Sequence, residues 1–480
     1  MRSDLRYTLM LAGAALLVHA AALIAVHLQT GSIQGYAFRS LDCDEFYAIA
    51  ENLVEHGAFS QNAEPPFKPD TWRTPGYPLF LATAMLLFGK SPATLVLVQQ
   101  VLSALNVLLV FRLARGWMSD RRAALAAVLF LLEPYHLFYS LWLLSTTWLM
   151  TVVLLTWWAW LRAIGSGKVW RFALLGGLCG FLVLTWPGAI LVPVAAFGGI
   201  ILAAVRRTPR RIAGTGMAVF GAGILFISGC AAAIAPWMVR NEPLAGHFAL
   251  TYQGGVVLAY FKATEVALWR EGLTADRYLE TSLSPDRREE PHPIWESIDK
   301  ELQLRFYDLP IEQQKELTWP NLAQGNRTTV DSFRISGELE SIGLAQLSAS
   351  PWSTLACYLA RCGSILTFPL DLALWPPNGV EVNRLRSAAV GALYLLLCAA
   401  AVVRLGRGRM GFEAGFFPLA CTLALLLATT PQTDPRFRVL MIPLLIVVAL
   451  LPVGRAIPAD PDGDRPASAT GGPDRRKEPC

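Results

Sequence analysis

Three carboxylates stand close together soon after the first long apolar stretch of the chain. Asp42, Asp44 and Glu45 lie within the short sequence Leu-Asp-Cys-Asp-Glu-Phe-Tyr. A positioned carboxylate can accept the proton of a hydroxyl nucleophile, and neighbouring carboxylates can hold a divalent cation. Because they follow a membrane-spanning stretch, these groups are placed to meet both a lipid and a water-borne acceptor. The pattern indicates chemistry at a membrane surface.

The carboxylates also open an amphipathic helix. Apolar residues from Phe46 to Val54 recur at spacings of three and four, which is the helical period. Asp42 or Asp44 is expected to cap the N-terminus of this helix, and Gly57 is expected to end it. On this pattern alone the acids could serve only as caps and partners of the helix dipole. A structural role therefore stays open beside the catalytic one.

The composition places this segment in a membrane protein. The chain of 480 residues is 54% hydrophobic and 16% charged, with a mean hydropathy of +0.42, which is too apolar for an ordinary soluble enzyme. About ten stretches approach the length of a transmembrane helix, so the sequence predicts an α-helical multi-pass membrane protein. They lie near 7–28, 92–111, 123–140, 142–161, 172–188, 190–205, 213–235, 386–403, 411–429 and 439–454.

The orientation of these spans follows from the basic residues. The first stretch has a weak signal-peptide pattern, but its apolar run is long, and we interpret it as an uncleaved anchor. With a cytoplasmic N-terminus, the Arg-rich loops near 112–122, 162–171, 206–211 and 404–409 all fall inside. This predicts cytoplasmic N- and C-termini. It also places the 29–91 loop and the 237–385 region on the outer face.

The same pattern predicts four parts of the chain. Residues 1–241 form a transmembrane region that includes the external loop 29–91. Residues 242–350 hold 10 Lys and Arg against 17 Asp and Glu, which indicates an acidic external soluble domain. Residues 351–457 begin with an interfacial or broken helix and continue as transmembrane helices. Residues 458–480 are expected to be a disordered cytoplasmic tail.

Four motifs in order give the chain a family resemblance. They are Asp42-x-x-Glu45-Phe46-x-x-Ile49-Ala50-x-Asn52-Leu53, then Trp72-Arg73-Thr74-Pro75-Gly76-Tyr77-Pro78, then Pro236-Trp237-Met238-Val239-Arg240-Asn241, and finally Asp434-Pro435-Arg436-Phe437-Arg438. Together they resemble the bacterial relatives of the protein O-mannosyltransferases and of the aminoarabinose transferase that modifies lipid A. The likeness runs from about residue 5 to 455 and is weak in the external domain.

The resemblance implies a GT-C fold with about ten transmembrane helices and a sugar donor linked to a polyprenyl phosphate. It implies an inverting glycosyltransferase in a bacterial cytoplasmic membrane, with its active site on the periplasmic face. The acceptor is a glycan, lipid or protein of the cell envelope whose identity stays open. The family's catalytic Asp precedes an aromatic residue by four positions, which selects Asp42. Asp44 and Glu45 are then supporting or metal-facing acids.

Arginines on the outer face are candidates for the donor phosphate. Arg240 closes the seventh span, and Arg436 and Arg438 lie in the turn between the last two spans. Cations are uncommon on that face, and guanidinium groups bind phosphate in a fork. We expect these three to gather the lipid phosphate; snorkelling at a helix end or a salt bridge to Asp434 is the alternative.

Four further residues are candidates for a substrate cleft. Arg73 and Tyr77 lie in the Arg-Thr-Pro-Gly-Tyr-Pro turn, where a structural role is equally open. Glu133 and His136 lie at the outer end of the third span and could line the acceptor cleft or simply reach water.

Other classes of function fit the sequence less well. No nucleotide-binding loop, dinucleotide fingerprint or zinc-protease motif is present, and no cofactor or nucleic acid partner is indicated. A divalent cation at the acidic segment stays open. The alternatives are a polymerase or ligase of lipid-linked oligosaccharides, and a lipid or solute transporter. A transporter would be expected to show ionisable residues within its spans and internal repeats, and neither is clear.

Overall fold

Helices account for most of the chain that the structure describes. The structure is a computed structural model, and it describes residues 2–38, 40–166, 168–206, 216–245, 248–272, 293–323, 330–367, 412–430 and 436–451, with a few single residues between 392 and 403. More than half of the span predicted near 386–403 lies outside these residues, and the tail predicted over 458–480 lies entirely outside them.

The N-terminal region is built from helices, with a non-helical segment over residues 57–75. Its helices are α1 (Arg2–Thr30), α2 (Ile33–Ala37), α3 (Leu41–His56), α4 (Gly76–Phe88), α5 (Pro92–Arg115), α6 (Asp120–Leu131), α7 (Pro134–Tyr139), α8 (Thr146–Ser166), α9 (Trp170–Thr185), a 3-10 turn (Pro187–Ile190), α10 (Leu191–Arg206) and α11 (Gly216–Ala245). Within the described ranges, five helical segments are long and apolar enough to cross a membrane: Leu5–Thr30, Pro92–Arg115, Thr146–Gly165, Pro187–Ala204 and Val219–Leu244. The protein is thus a helical multi-pass membrane protein, as its composition predicts.

Two features of the predicted span pattern need correction. The continuous helix predicted over 123–140 is broken, because α6 ends at Leu131 and α7 begins at Pro134. Proline lacks an amide proton and disfavours helical geometry in the residue before it. The helix α4, Gly76–Phe88, has no counterpart among the predicted spans. Its 13 residues are too few to cross a bilayer of about 30 Å, so a search by span length passes over it.

The end of helix α3 agrees with the sequence prediction, and its start differs from it. Gly57 ends it in the left-handed conformation at φ 63°, and its amide donates to the carbonyl oxygens of Asn52 and Leu53. The prediction for Gly57 is confirmed. The prediction that Asp42 or Asp44 caps the helix is wrong, because Ser40 occupies the N-cap position and both acids lie inside the first turn. Their side chains are therefore available for partners outside the helix.

A second, smaller core lies beside the membrane helices. It is built by helices between Gln253 and Ser348, and its buried residues include Tyr260, Phe306 and Leu339 together with Trp72 from the first external loop. Its helices are α12 (Gln253–Val256), continued by a π-helical turn (Val257–Ala263) and α13 (Thr264–Arg270), then α14 (Pro293–Arg305), α15 (Ile311–Lys315), α16 (Trp319–Ala323) and α17 (Ser332–Ser348). The chain continues as α18 (Pro351–Thr367), α19 (Phe412–Thr429) and α20 (Arg436–Leu450). The second core is joined to loop 29–91 by Trp72, whose ring centroid lies 4.9 Å from that of Tyr252.

Small residues let α9 and α11 approach closely within the membrane region. A Cβ atom on Gly176 would lie 2.8 Å from the carbonyl carbon of Phe226, and one on Gly180 would lie 2.8 Å from the Cβ of Ala233. At Gly177, the next residue along α9, the nearest atom would be 3.9 Å away. The small-xxx-small pattern of this helix therefore serves backbone packing.

We expect Gly176→Ala to destabilise the protein and Gly177→Ala to leave it nearly unchanged. The first change forces α9 and α11 apart, and overpacking of this kind typically costs about 1–3 kcal/mol. The measurement is the midpoint of thermal unfolding in detergent, with Gly177→Ala as the control on the same helix. Equal midpoints for the two variants would contradict the close packing of these helices.

Candidate active site

Asp42 and Glu45 converge on one guanidinium group. The two acids are three residues apart on α3 and so share a face of the helix. Arg73 Nη2 lies 2.5 Å from Asp42 Oδ1 and 2.5 Å from Glu45 Oε2. Arg73 Nε also donates to Glu45 Oε2 at 2.6 Å. One cation from the Arg-Thr-Pro-Gly-Tyr-Pro turn thus fixes two of the three carboxylates.

The turn that carries Arg73 is organised by Asp70. The backbone amide of Arg73 donates to Asp70 Oδ1 at 2.7 Å, and Gln61 Nε2 donates to Asp70 Oδ2 at 2.5 Å. The side chain of Asp70 is buried. A carboxylate that accepts the amide of a residue further along the chain forms a local turn, and this turn directs the Arg73 side chain towards α3. Asp70 is not among the residues that the sequence motifs single out, although an Asp three residues before Arg73 is a turn signal.

Aromatic rings complete the surroundings of Arg73. Its guanidinium carbon lies 4.8 Å from the centroid of the Phe46 ring, within the range of a cation–π contact. The Phe46 ring packs edge to face against Tyr77 at 5.0 Å. Tyr77 is fully buried, and its hydroxyl donates to Gln99 Oε1 at 2.6 Å. Tyr77 therefore supports the site from behind by joining α4 to α5.

Burial and the neighbouring charges shift the pKa values of these groups in opposite directions. Burial raises the pKa of Glu45 to about 7, even though the Arg73 charge lowers it. Burial also raises the pKa of Asp70, against hydrogen bonds from the Arg73 amide and Gln61. Burial by itself would lower the pKa of the Arg73 guanidinium, but the charges of Asp42 and Glu45 raise it overall. In this cluster the protonation state of each group depends on the charges of the groups around it.

Asp44 is directed away from this cluster. Its side chain is exposed, whereas those of Asp42 and Glu45 are partly covered. Across the described residues, no three His, Cys, Asp or Glu side chains gather in an arrangement that could hold a metal ion. The role of Asp44 and Glu45 as supporting or metal-facing acids stays a prediction.

Arg240 joins α11 to the first external loop. Its Nη1 atom donates to the backbone carbonyl of Asp70 at 2.6 Å and to Asn241 Oδ1 at 2.8 Å. The guanidinium carbon also lies 4.4 Å from the centroid of the Trp237 ring. Arg240 is thus connected through Asp70 to the segment that carries Arg73. These contacts give Arg240 a structural function, and its contact with a phosphate stays a prediction.

A second group of candidates surrounds α7. Arg438 on α20 is fully buried, with its guanidinium carbon 4.1 Å from the centroid of the Tyr135 ring. Glu133 accepts the backbone amide of His136 at 2.5 Å, and His136 Nε2 lies 2.7 Å from Ser103 Oγ. Glu133 and His136 are both buried. Arg436 begins α20, and its side chain, like Asp434, lies outside the described residues.

A buried polar stripe on α5 runs between the Tyr77 contact and the α7 contact. Gln99 Nε2 donates to the carbonyl of Trp142 at 2.6 Å, and Gln100 Nε2 donates to Ser140 Oγ at 3.0 Å. His19 Nδ1 lies 2.6 Å from Gln100 Oε1. Gln99, Gln100, Ser103 and Asn106 lie inside an otherwise apolar span. Polar residues in such a span usually have structural or functional roles, and this signal was available in the sequence.

We expect Asp70→Ala to destabilise the protein by about 1–3 kcal/mol, the cost of leaving a buried donor without an acceptor. The change removes the acceptor of the Arg73 amide and of Gln61. The measurement is again the midpoint of thermal unfolding. The matched control is Glu64→Ala, an exposed acid of the same loop. An Asp70→Ala variant as stable as the control would show that Asp70 does not organise the turn.

Comparison with known proteins supports the resemblance found in the motifs. Residues 70–236 match the family described as dolichyl-phosphate-mannose-protein mannosyltransferase. The matched segment contains Asp70, Arg73, Tyr77, Glu133 and His136, whereas Asp42 precedes it. No curated protein sequence matches the chain significantly.

Solved structures with a similar course of the chain come from archaea and bacteria. The apo oligosaccharyltransferase of Archaeoglobus fulgidus is 16% identical, with a TM-score of 0.48 over 91% of this chain and 50% of that one. ArnT from Cupriavidus metallidurans, bound to undecaprenyl phosphate, is 14% identical, with a TM-score of 0.38 over 92% of this chain and 77% of that one. This chain spans half the length of the archaeal protein. The family match covers 167 of the 480 residues, so this chain is similar to the mannosyltransferase family over residues 70–236.

Proposed function

We propose that this protein is a membrane glycosyltransferase that moves one sugar from a polyprenyl-phosphate donor to a cell-envelope acceptor, with inversion at the anomeric carbon. The observation that carries the proposal is the cluster of Asp42, Glu45 and Arg73 at the start of α3, directly beyond the membrane helix α1. The family match supports it, because the Arg73 turn lies within the matched residues. The acceptor is a glycan, a lipid or a protein.

In the proposed reaction, Asp42 is the general base. It takes the proton of the acceptor hydroxyl as the hydroxyl oxygen attacks C1 of the sugar. The bond from C1 to the phosphate oxygen breaks, and polyprenyl phosphate leaves with the electron pair. A positioned carboxylate can contribute about 10²- to 10⁴-fold to the rate of such a step. Arg73 holds Asp42 in place, and such fixed geometry favours catalysis.

The leaving phosphate needs positive charge close to its oxygens. We assign this role to Arg240, Arg436 and Arg438, in keeping with their place at the outer ends of the last spans and of α11. Arg438 is buried beside Tyr135, and a guanidinium in a water-poor place interacts strongly with an anion. Arg240 is held near the cluster through the carbonyl of Asp70.

We place the site on the outer face of the bacterial cytoplasmic membrane, with both termini in the cytoplasm. The Arg-rich loops between successive spans support this orientation. Nucleotide sugars are not available on that face, so a donor delivered through the bilayer is required. The donor lipid and the surrounding membrane lipid are therefore the partners of the enzyme.

We expect Asp42→Asn to lower sugar transfer by about 10²-fold or more, because the amide cannot accept the acceptor proton. Purified protein in lipid vesicles is incubated with radiolabelled polyprenyl-phosphate sugars and cell-envelope extract, and transferred label is counted. Asp44→Asn tests the competing assignment, since Asp44 is exposed in the same helical turn. If Asp44→Asn loses more activity than a folded Asp42→Asn, the base has been assigned to the wrong residue.

The transfer rate should rise with pH through about 7, where Glu45 ionises. Neutral Glu45 leaves the full Arg73 charge on Asp42, whereas ionised Glu45 shares that charge and makes Asp42 a better base. In Glu45→Gln this inflection should disappear, and the rate at pH 8 should fall below that of the wild type. A profile of transfer rate against pH for both proteins is the measurement. An inflection that persists in Glu45→Gln would contradict this role.

Glu45 should also affect stability in the same pH range. Because its folded pKa is raised above the ordinary value of 4.5, Glu45 favours the folded state fully at lower pH. That contribution is lost as pH rises from about 4.5 to about 7. The pH dependence of the unfolding midpoint provides a readout of Glu45 that does not depend on the donor or the acceptor.

A further inference from the structure

The helix α18 exposes one continuous apolar face. Trp352, Leu355 and Leu359 are 80%, 49% and 67% exposed. They are spaced by three and four residues and so lie on one side of the helix. An exposed row of large apolar side chains marks a contact surface. The opposite side of α18, which faces the protein, carries the charged residue of the helix.

The single charged residue of α18 lies on the opposite side. Arg361 is 5% exposed, and its Nη2 atom forms an ion pair with Glu265 Oε2 on α13 at 3.1 Å. One turn earlier, Cys357 Sγ lies 3.8 Å from the backbone carbonyl of Glu265. The helix is therefore attached to the second core through its charged side. Its outward side carries no charged residue, which is unusual for a helix that faces water.

The position of α18 places this face beside the membrane helices. Cys362 Sγ lies 3.5 Å from Thr430 Oγ1, the residue that directly follows α19. Residues 415–429 of α19 form one of the shorter apolar helices of the membrane region. The end of α18 that carries Cys362 is thus close to the level at which α19 ends, and Leu359 lies about one turn before it. The second core lies on the other side of α18, through α13 and α17.

We infer that Trp352, Leu355 and Leu359 lie in the lipid leaflet that borders the second core, and that acyl chains are the partner of this face. Tryptophan at the edge of the set suits the boundary between headgroups and hydrocarbon. The Glu265–Arg361 ion pair keeps the only cation of α18 away from the lipid and fixes the second core against the membrane. This inference does not depend on the transferase activity. The assignment of that leaflet as the outer one rests on the proposed orientation.

Photocrosslinking to lipid tests the proposed face. A photoreactive benzoylphenylalanine is introduced in place of Leu355 or Leu359 in the full-length protein, which is then placed in nanodiscs that contain tritiated phospholipid acyl chains. Leu17 on α1, which is 73% exposed, is the lipid-facing reference. Glu312, whose side chain is 84% exposed on the second core, is the water-facing reference.

We expect illumination to attach tritium at positions 355 and 359 about as strongly as at 17, and not at 312. The inference is overturned if positions 355 and 359 behave like position 312 while position 17 is labelled. It is also overturned if they crosslink to a second copy of the protein instead of lipid. Two independent positions guard against the failure of one variant to fold.

The ion pair is tested by Glu265→Gln in the protein that carries the photoreactive group at position 355. Arg361 then lacks its counter-charge, and lipid labelling should fall severalfold as α18 loses its fixed orientation. The double variant Glu265→Leu with Arg361→Met removes both charges, because an apolar pair can replace a buried ion pair. Labelling should recover in the double variant. Labelling that is unaffected by Glu265→Gln would overturn the role of the ion pair.

Discussion

The ion pairs between Arg73 and the acids Asp42 and Glu45 hold the candidate site together. Removing a charged group from water costs several kcal/mol, and a close, well-directed partner is needed to offset that cost. Arg73 meets this need because its Nε and Nη2 atoms both reach Glu45 while Nη2 also reaches Asp42. Loss of Arg73 would leave both acids without their counter-charge. The cluster therefore acts mainly to fix one arrangement of α3 and the 70–75 turn. Its contribution to the stability of the fold is secondary.

The rest of the N-terminal bundle supports this arrangement from the membrane side. Phe46 and Tyr77 form an aromatic layer beneath Arg73, and the Tyr77 hydroxyl begins a series of buried polar contacts along α5. Satisfied polar groups in a low-dielectric interior hold their geometry firmly. A site that depends on the position of one carboxylate gains from such a rigid support. The same helix, through Ser103, contacts His136 in the second group of candidates.

The sequence predicted what local rules and hydrophobicity determine. The left-handed end of α3 at Gly57 follows from the conformational freedom of glycine, and most spans follow from apolar length. The sequence also identified Asp42, Glu45 and Arg73 as candidate site residues. It did not show that the three contact one another. The contact between Arg240 and the Asp70 carbonyl joins residues 170 positions apart, and no local pattern in a single sequence can show it. The helix α4 was missed for another reason, because its apolar run is shorter than a span.

Two arginines on the proposed outer side are paired with carboxylates from other segments of the chain. Uncompensated Lys and Arg are disfavoured on the outer side of a membrane protein, yet Arg73 and Arg361 are placed there by the proposed orientation. Both are paired with carboxylates that come from another segment of the chain: α3 supplies Asp42 and Glu45, and α13 supplies Glu265. The positive charges are thereby neutralised before they meet lipid or water. Each pair also joins two segments, so the same acids that permit an outer arginine fix the loop or helix that carries it.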